Sequence, residues 1–185
     1  MPTKELESSI QAVLKKKSDL RDKLKAYFPT KFEKKSPVVG IWFDETKDST
    51  LAASLIEASK ALNLPIVLFT SQENAHVPFE TREKVCTIST KSKNWQMFYD
   101  MCDAVVVLSK EDEHFYKQLW NSGIIPIASD SCKILSDYNP NSESGNSFIF
   151  DEKNVWAVFA ALIRSAETFK FPYDWKHIIR QAVAK

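Results

Sequence analysis

Val38-Val39-Gly40-Ile41-Trp42-Phe43 is an unbroken apolar run of strand length. Runs of this kind suit a central parallel strand covered on both faces. Two similar runs follow, Pro65-Ile66-Val67-Leu68-Phe69 and Ala104-Val105-Val106-Val107-Leu108. Shorter ones stand at 85–88, 124–127 and 147–150. Between them the apolar spacing changes to three and four. Leu51, Leu55, Ala58 and Leu62 share one helical face, with Asp48 or Ser49 as the cap and Asn63 and Pro65 as the stop. The pattern predicts further helices over 94–102, 111–122 and 155–169, the second ending at Gly123. Val155, Phe159, Leu162, Ala166 and Phe169 share a face of the third. Pro172 ends it, and a closing helix spans 175–183. Ahead of the first strand, Leu6, Ile10, Val13, Leu14, Leu20, Leu24 and Phe28 mark a helix over 4–27, which Ser18-Asp19 is expected to divide. Residues 29–37 read as a connector and 129–146 as a long polar loop.

Strand, helix and strand within thirty-odd residues make a right-handed βαβ unit. Repeated alternation predicts a three-layer α/β fold, a doubly wound parallel sheet of about five or six strands. The runs at 38–43, 66–69 and 104–108 are its expected centre. Pro126 argues for a position near an edge for 124–127. The expected division is a basic helical segment with its connector over 1–36, and a Rossmann-like domain over 37–185.

Composition narrows this picture. The chain has 185 residues, 44% apolar and 26% charged, which suits one globular core. Its net charge of +1 argues against a general nucleic-acid or membrane binder. Residues 1–36 carry ten Lys and Arg against five Asp and Glu. Lys15-Lys16-Lys17 within them is read as a solvated helix face. The N-terminus has no apolar leader, and no apolar run reaches membrane-spanning length. Cys86, Cys102 and Cys132 form neither a C-x-x-C pair nor an even set, so a cytoplasmic location is expected.

A doubly wound sheet binds ligands beyond the C-terminal ends of its strands. Residues 44–48, 70–78, 89–93, 109–113 and 129–146 are the loops placed there. The three glycines, Gly40, Gly123 and Gly145, form no G-x-G-x-x-G and no P-loop. His76, His114 and His177 have no ligand spacing to any cysteine, so no metal site is expected. Glu111-Asp112-Glu113 follows the strongest strand, where a ligand-binding carboxylate would sit. The first turn of a helix wants negative charge at the same place, and that reading has the better warrant. Trp156, Phe159, Phe169, Phe171, Tyr173 and Trp175 recur at helical spacings and are expected in the core rather than on a sugar-stacking surface.

The segment Asp137-Tyr138-Asn139-Pro140-Asn141-Ser142-Glu143-Ser144-Gly145-Asn146-Ser147-Phe148-Ile149-Phe150 resembles the Y-N-P-x-x-x-x-G-N/T-G-F-x-F stretch of bacterial glycogen synthases and plant starch synthases. There, as here over 157–175, an Ala-rich helix, a Pro and a Trp follow. The runs 122–127 and 102–109 are similar to the family's Y-G-T-I-P-I and A-D-x-x-L-x-P-S strands. The resemblance covers roughly 20–183 and is specific from 137 to 175. It implies one half of a GT-B glycosyltransferase, the C-terminal half that binds the nucleotide sugar, ADP-glucose or UDP-glucose. Catalysis in that family needs a second half across a cleft.

The departures fall on the expected site. Where the family has S-R-L-x-x-Q-K-G, this chain has Phe43-Asp44-Glu45-Thr46-Lys47-Asp48, in which Lys47 matches the Lys and no Arg is present. Where the family places a Glu facing the donor sugar in S-R-F-E-P-C-G-L, this chain has Ser109-Lys110-Glu111-Asp112-Glu113-His114-Phe115. The T-G-G-L loop becomes Ser129-Asp130-Ser131-Cys132-Lys133. The resemblance therefore implies Lys47, Glu111 and Glu113 as catalytic candidates. It implies Lys47, Ser109, Lys110, Ser129 and Tyr138 as ligand-binding ones. A leaving diphosphate needs cations and a dry cleft, and Asp44 and Glu45 stand beside Lys47.

The expected function is a degenerate glycosyltransferase-like binding or interaction module. One alternative is an active glucosyltransferase subunit completed by a partner chain. Another is a nucleoside deoxyribosyltransferase-like enzyme, whose carboxylate after a D-x-V-V-x-L strand is similar to 103–108. A protein partner or self-association is expected, through the loops above with Phe43, Val77, Pro78, Phe79 and Phe115, or through Lys15, Lys16, Lys17, Arg21, Lys23 and Lys25 of the first helix. A nucleotide sugar or a glucan is the expected small partner; nucleic acid and membrane are not.

Overall fold

A computed structural model describes residues 3–24, 36–70, 85–93 and 95–184. Six parallel strands form one sheet in the order β3-β2-β1-β4-β5-β6. They are β1 (Val39–Trp42), β2 (Ile66–Thr70), β3 (Val85–Ser89), β4 (Ala104–Val107), β5 (Ile125–Ser129) and β6 (Phe148–Phe150). This is the doubly wound order, and β2, β1 and β4 are central as the apolar runs predict. All four residues of β4 are buried. Gly40 lets its neighbours close over β1: a Cβ there would lie 2.9 Å from both Phe69 and Val105.

Helices α1 (Thr3–Leu24), α2 (Ser49–Ser59), α3 (Trp95–Met101), α4 (Glu113–Asn121), α5 (Val155–Phe169) and α6 (Pro172–Val183) complete the fold. Right-handed crossovers put α2 and α5 on one face of the sheet and α3 and α4 on the other. Asp112 caps α4 by accepting the Phe115 N–H, and Asn154 caps α5 by accepting those of Trp156 and Ala157. Pro172 opens α6 at its first turn, where its missing N–H costs nothing.

β5 lies next to the edge strand β6, so the run that holds Pro126 is near an edge, as its Pro predicts. The pairing with β6 begins at Ile127, so Pro126 lies just below it and removes no rung. Two expectations change. Helix α1 is continuous through Ser18-Asp19, and Lys17 is buried rather than solvated. The Lys17 ammonium donates to the carbonyls of Cys102 and Asp100, at the C-terminus of α3. Burial pushes its pKa down, with Asp103 opposing. The second change concerns the C-terminal aromatics. Trp175 is buried and Phe159 and Phe169 are partly so, but Trp156, Phe171 and Tyr173 are 74%, 59% and 67% exposed.

Helix α1 lies over the starts of the central strands. Its Val13 packs on Gly123, whose φ of +66° turns the chain from α4 into β5, and a Cβ there would meet Val13 at 2.3 Å. Arg21 reaches Asp103 at 2.6 Å, and Asp103 also accepts the Val38 N–H at 2.8 Å. Glu7 joins α1 to Lys176 and Arg180 of α6 at 2.5 and 2.7 Å.

Candidate functional site

The chain leaves β1 toward β2 and leaves β4 toward β5, so the two loops part above the neighbouring ends of β1 and β4. That switch point is where an open α/β sheet offers a ligand crevice. Trp42 ends β1, with its side chain opposite in direction to that of Ile41. The indole therefore lies on the α4 side, 5.2 Å from the Phe115 ring and 5.9 Å from Phe69. Its Nε1 donates to Glu111 Oε1 at 2.9 Å. Ser109 Oγ donates to the same oxygen at 2.7 Å. Glu111 is thus turned back onto the protein, and Trp42 and Phe115 close the crevice on that side.

The α2 side is an open groove of about 570 Å³, lined by Lys47, Asp48, Thr50, Leu51, Ser54, Lys153 and Val155. Both lysines already face carboxylates. Lys47, with a side chain 78% exposed, stands 3.3 Å from Asp44. Lys153 meets the buried Asp48 at 2.5 Å. Hydrogen bonds from the Thr46 hydroxyl and N–H, with Lys47 adding, hold the Asp44 carboxyl down at about 2, so it is anionic at neutral pH. Asp48 stands at the N-cap of α2 without a side-chain cap bond, because its carboxylate is turned to Lys153.

The structure brings Lys47, Ser109, Lys110, Glu111 and Glu113 to the C-terminal end of the sheet, with different roles. Glu113 is exposed in the first turn of α4 and faces Lys117 at 3.8 Å. Lys110 is exposed. Ser129 ends β5 and donates to Ser131 Oγ at 3.1 Å. Tyr138 is elsewhere: its N–H bonds to the Ser147 carbonyl beside the start of β6, at the opposite end of the sheet. Its ring is 4% exposed, and packs edge-on to Phe148. Residues 71–78 of the 70–78 loop, with His76, Val77 and Pro78, lie outside the described residues, as do Phe79 and Lys25. Among the described residues no group of three His, Cys, Asp or Glu could hold a metal ion. No helix among them is long and apolar enough to cross a membrane.

Sequence reasoning missed Trp42 and Lys153. The only signal for Trp42 was a large aromatic with a polar N–H at the last position of a central strand. Nothing local marks Lys153, since Asp48 lies more than a hundred positions away.

No protein-family model matches the chain, and no curated protein matches it. Solved structures do. The catalytic domain of starch synthase IV from Arabidopsis thaliana, bound to ADP and acarbose, superposes with a TM-score of 0.74 at 18% identity, over 95% of this chain and 39% of that one. UDP-GlcNAc 2-epimerase from Neisseria meningitidis, bound to UDP-GlcNAc, gives 0.55 at 12% identity, over 92% of this chain and 46% of that one. The chain spans less than half of either. The likeness is one of fold: a Rossmann-like α/β domain of GT-B-like architecture.

Proposed function

We propose that the chain is a degenerate counterpart of the nucleotide-sugar-binding half of a glycogen or starch synthase, and that it works as a binding and interaction module rather than as a glucosyltransferase. Its partner on this reading is a protein surface, either another chain or a second copy. The observation that carries the reading is that the carboxylate and the two groove lysines at the switch point are already engaged. Glu111 is held by Trp42 and Ser109, and Lys47 and Lys153 face Asp44 and Asp48. A diphosphate entering the groove would meet two carboxylates together with two lysines. Like-charge contact of that kind costs what the cations return.

The test is calorimetric titration with ADP, ADP-glucose, UDP-glucose and glycogen, beside an assay for glucosyl transfer to glycogen. The expected result is no nucleotide binding tighter than about millimolar and no transfer. Turnover above that of a Lys47→Ala, Glu111→Gln double variant would overturn the reading in favour of an active subunit.

A further inference from the structure

Five features meet at the end of the sheet opposite the switch point. Phe171 and Tyr173, at the turn into α6, are 59% and 67% exposed. The Tyr173 ring lies 5.9 Å from that of His177. His177 Nε2 stands 3.6 Å from Glu143 Oε2. Glu143 is held in the left-handed region, with φ of 49°, a conformation that side chains other than glycine adopt at a cost. Nearby, the Tyr138 hydroxyl is buried and has no hydrogen-bond partner among the described residues. Its ring packs on Phe148, which stacks on Trp175 of α6, and the Asn139–Ser144 bridge ties it to the turn that carries Glu143. Burial raises the pKa of that phenol, and the charges of Asp174 and Glu143 add to it.

Three of these are costly alone. Flat rings left in water, a strained backbone and a buried hydroxyl without a partner all disfavour the fold. An unpartnered buried polar group calls for a reason, and a ligand is one.

We propose that Tyr138, Glu143, Phe171, Tyr173, Asp174 and His177 form a saccharide-binding site. A sugar ring offers an apolar face of C–H groups and a rim of hydroxyls. Phe171 and Tyr173 supply flat apolar surfaces for the first. Glu143 and Asp174 accept hydrogen bonds from the second. A sugar hydroxyl inserted beside Tyr173 gives Tyr138 the partner it lacks. A cationic ligand fits less well. Arg164, Lys170, Lys176 and Arg180 stand on the same two helices, and two separate aromatic rings are a broader platform than one ammonium needs. The site is independent of the reading of the switch point, because no residue is shared.

The test is NMR titration of the whole chain with maltohexaose, cellohexaose and chitohexaose, following the His177 ring and the tyrosine ring signals. At least one oligosaccharide is expected to shift them in a saturable way. Tyr173→Ala and Phe171→Ala should each weaken binding about tenfold. Tyr138→Phe, which removes only the hydroxyl, should weaken it less while leaving the fold intact by circular dichroism. The exposed positions 171 and 173 keep the test meaningful if the Tyr138 variant unfolds. The proposal is overturned if none of the three sugars shifts these signals at millimolar concentration. Unchanged affinity in Tyr173→Ala also overturns it, as do shifts produced only by a hexa-lysine peptide.

Discussion

Asp103 concentrates the structure's electrostatics in one residue. It is almost fully buried, and the Arg21 guanidinium and the Val38 N–H both donate to it. Removing one partner of a buried pair strands the other, which costs more than the pair itself is worth. Asp103→Ala is therefore expected to lower unfolding free energy by about 3 kcal/mol, measured by urea titration. A loss within error of zero would mean that solvent reaches Arg21 and Val38 without cost. The sequence marks Asp103 only as the residue before a strong strand. Neither of its partners, 82 and 65 positions away, is visible from there. Trp42 has the same history. Its apolar neighbours announce a buried strand, but the bond that ties Glu111 exists only after β1 and β4 lie side by side. Glu111 itself was legible as the carboxylate at the end of β4; its engagement was not.

At the scale of elements, α1 has an environment that its sequence alone hides. A run of three lysines and a Ser-Asp pair suggest a solvated, interrupted helix. Packing overrides both, because Lys17 satisfies the C-terminal carbonyls of α3 and Ile10 and Val13 reach the core side. The other end of α1 is held to α6 by Glu7. Hydrogen bonds from Lys176 first, then Arg180, bring its carboxyl from an ordinary 4.5 down to about 2. The folded protein therefore holds the proton less tightly than the unfolded chain. The stability this confers is fully present above about pH 4.5 and is lost as pH falls toward 2. Glu7→Gln should unfold more easily than the parent at pH 6, and the two should converge as the pH approaches 2. Denaturant titrations across that range check it, and a constant gap would show that the ion pairs are not its source. The C-terminal helices were misread for a related reason. Helical spacing placed six aromatics in the core, yet spacing gives only a face, and the turn at 170–172 sends Phe171 and Tyr173 outward.

Across the whole molecule, the legible part is the alternation of strand and helix. Continuous apolar runs identify β2, β1 and β4 as central because only a strand covered on both faces can afford them. Sheet order beyond that centre depends on contacts between distant segments, and only Pro126 marks β5 as lying near an edge, where it stands beside β6. The same long-range contacts decide how the molecule comes apart. Helix α1 touches α3 through Lys16 and Lys17, the start of β4 through Arg21, the turn before β5 through Val13, and α6 through Glu7. A helix bound at so many places to four parts of the fold has little stability of its own and little freedom to melt separately. The chain should therefore unfold in one transition. The five tryptophans, Trp42, Trp95, Trp120, Trp156 and Trp175, all lie outside α1, whereas α1 supplies 22 helical residues. Far-ultraviolet circular dichroism thus reports on α1 together with the rest, and tryptophan fluorescence reports on the rest alone. Coincident denaturation curves are expected from the two signals. If α1 were a separate appendage, ellipticity would fall first, at denaturant concentrations where fluorescence is unchanged.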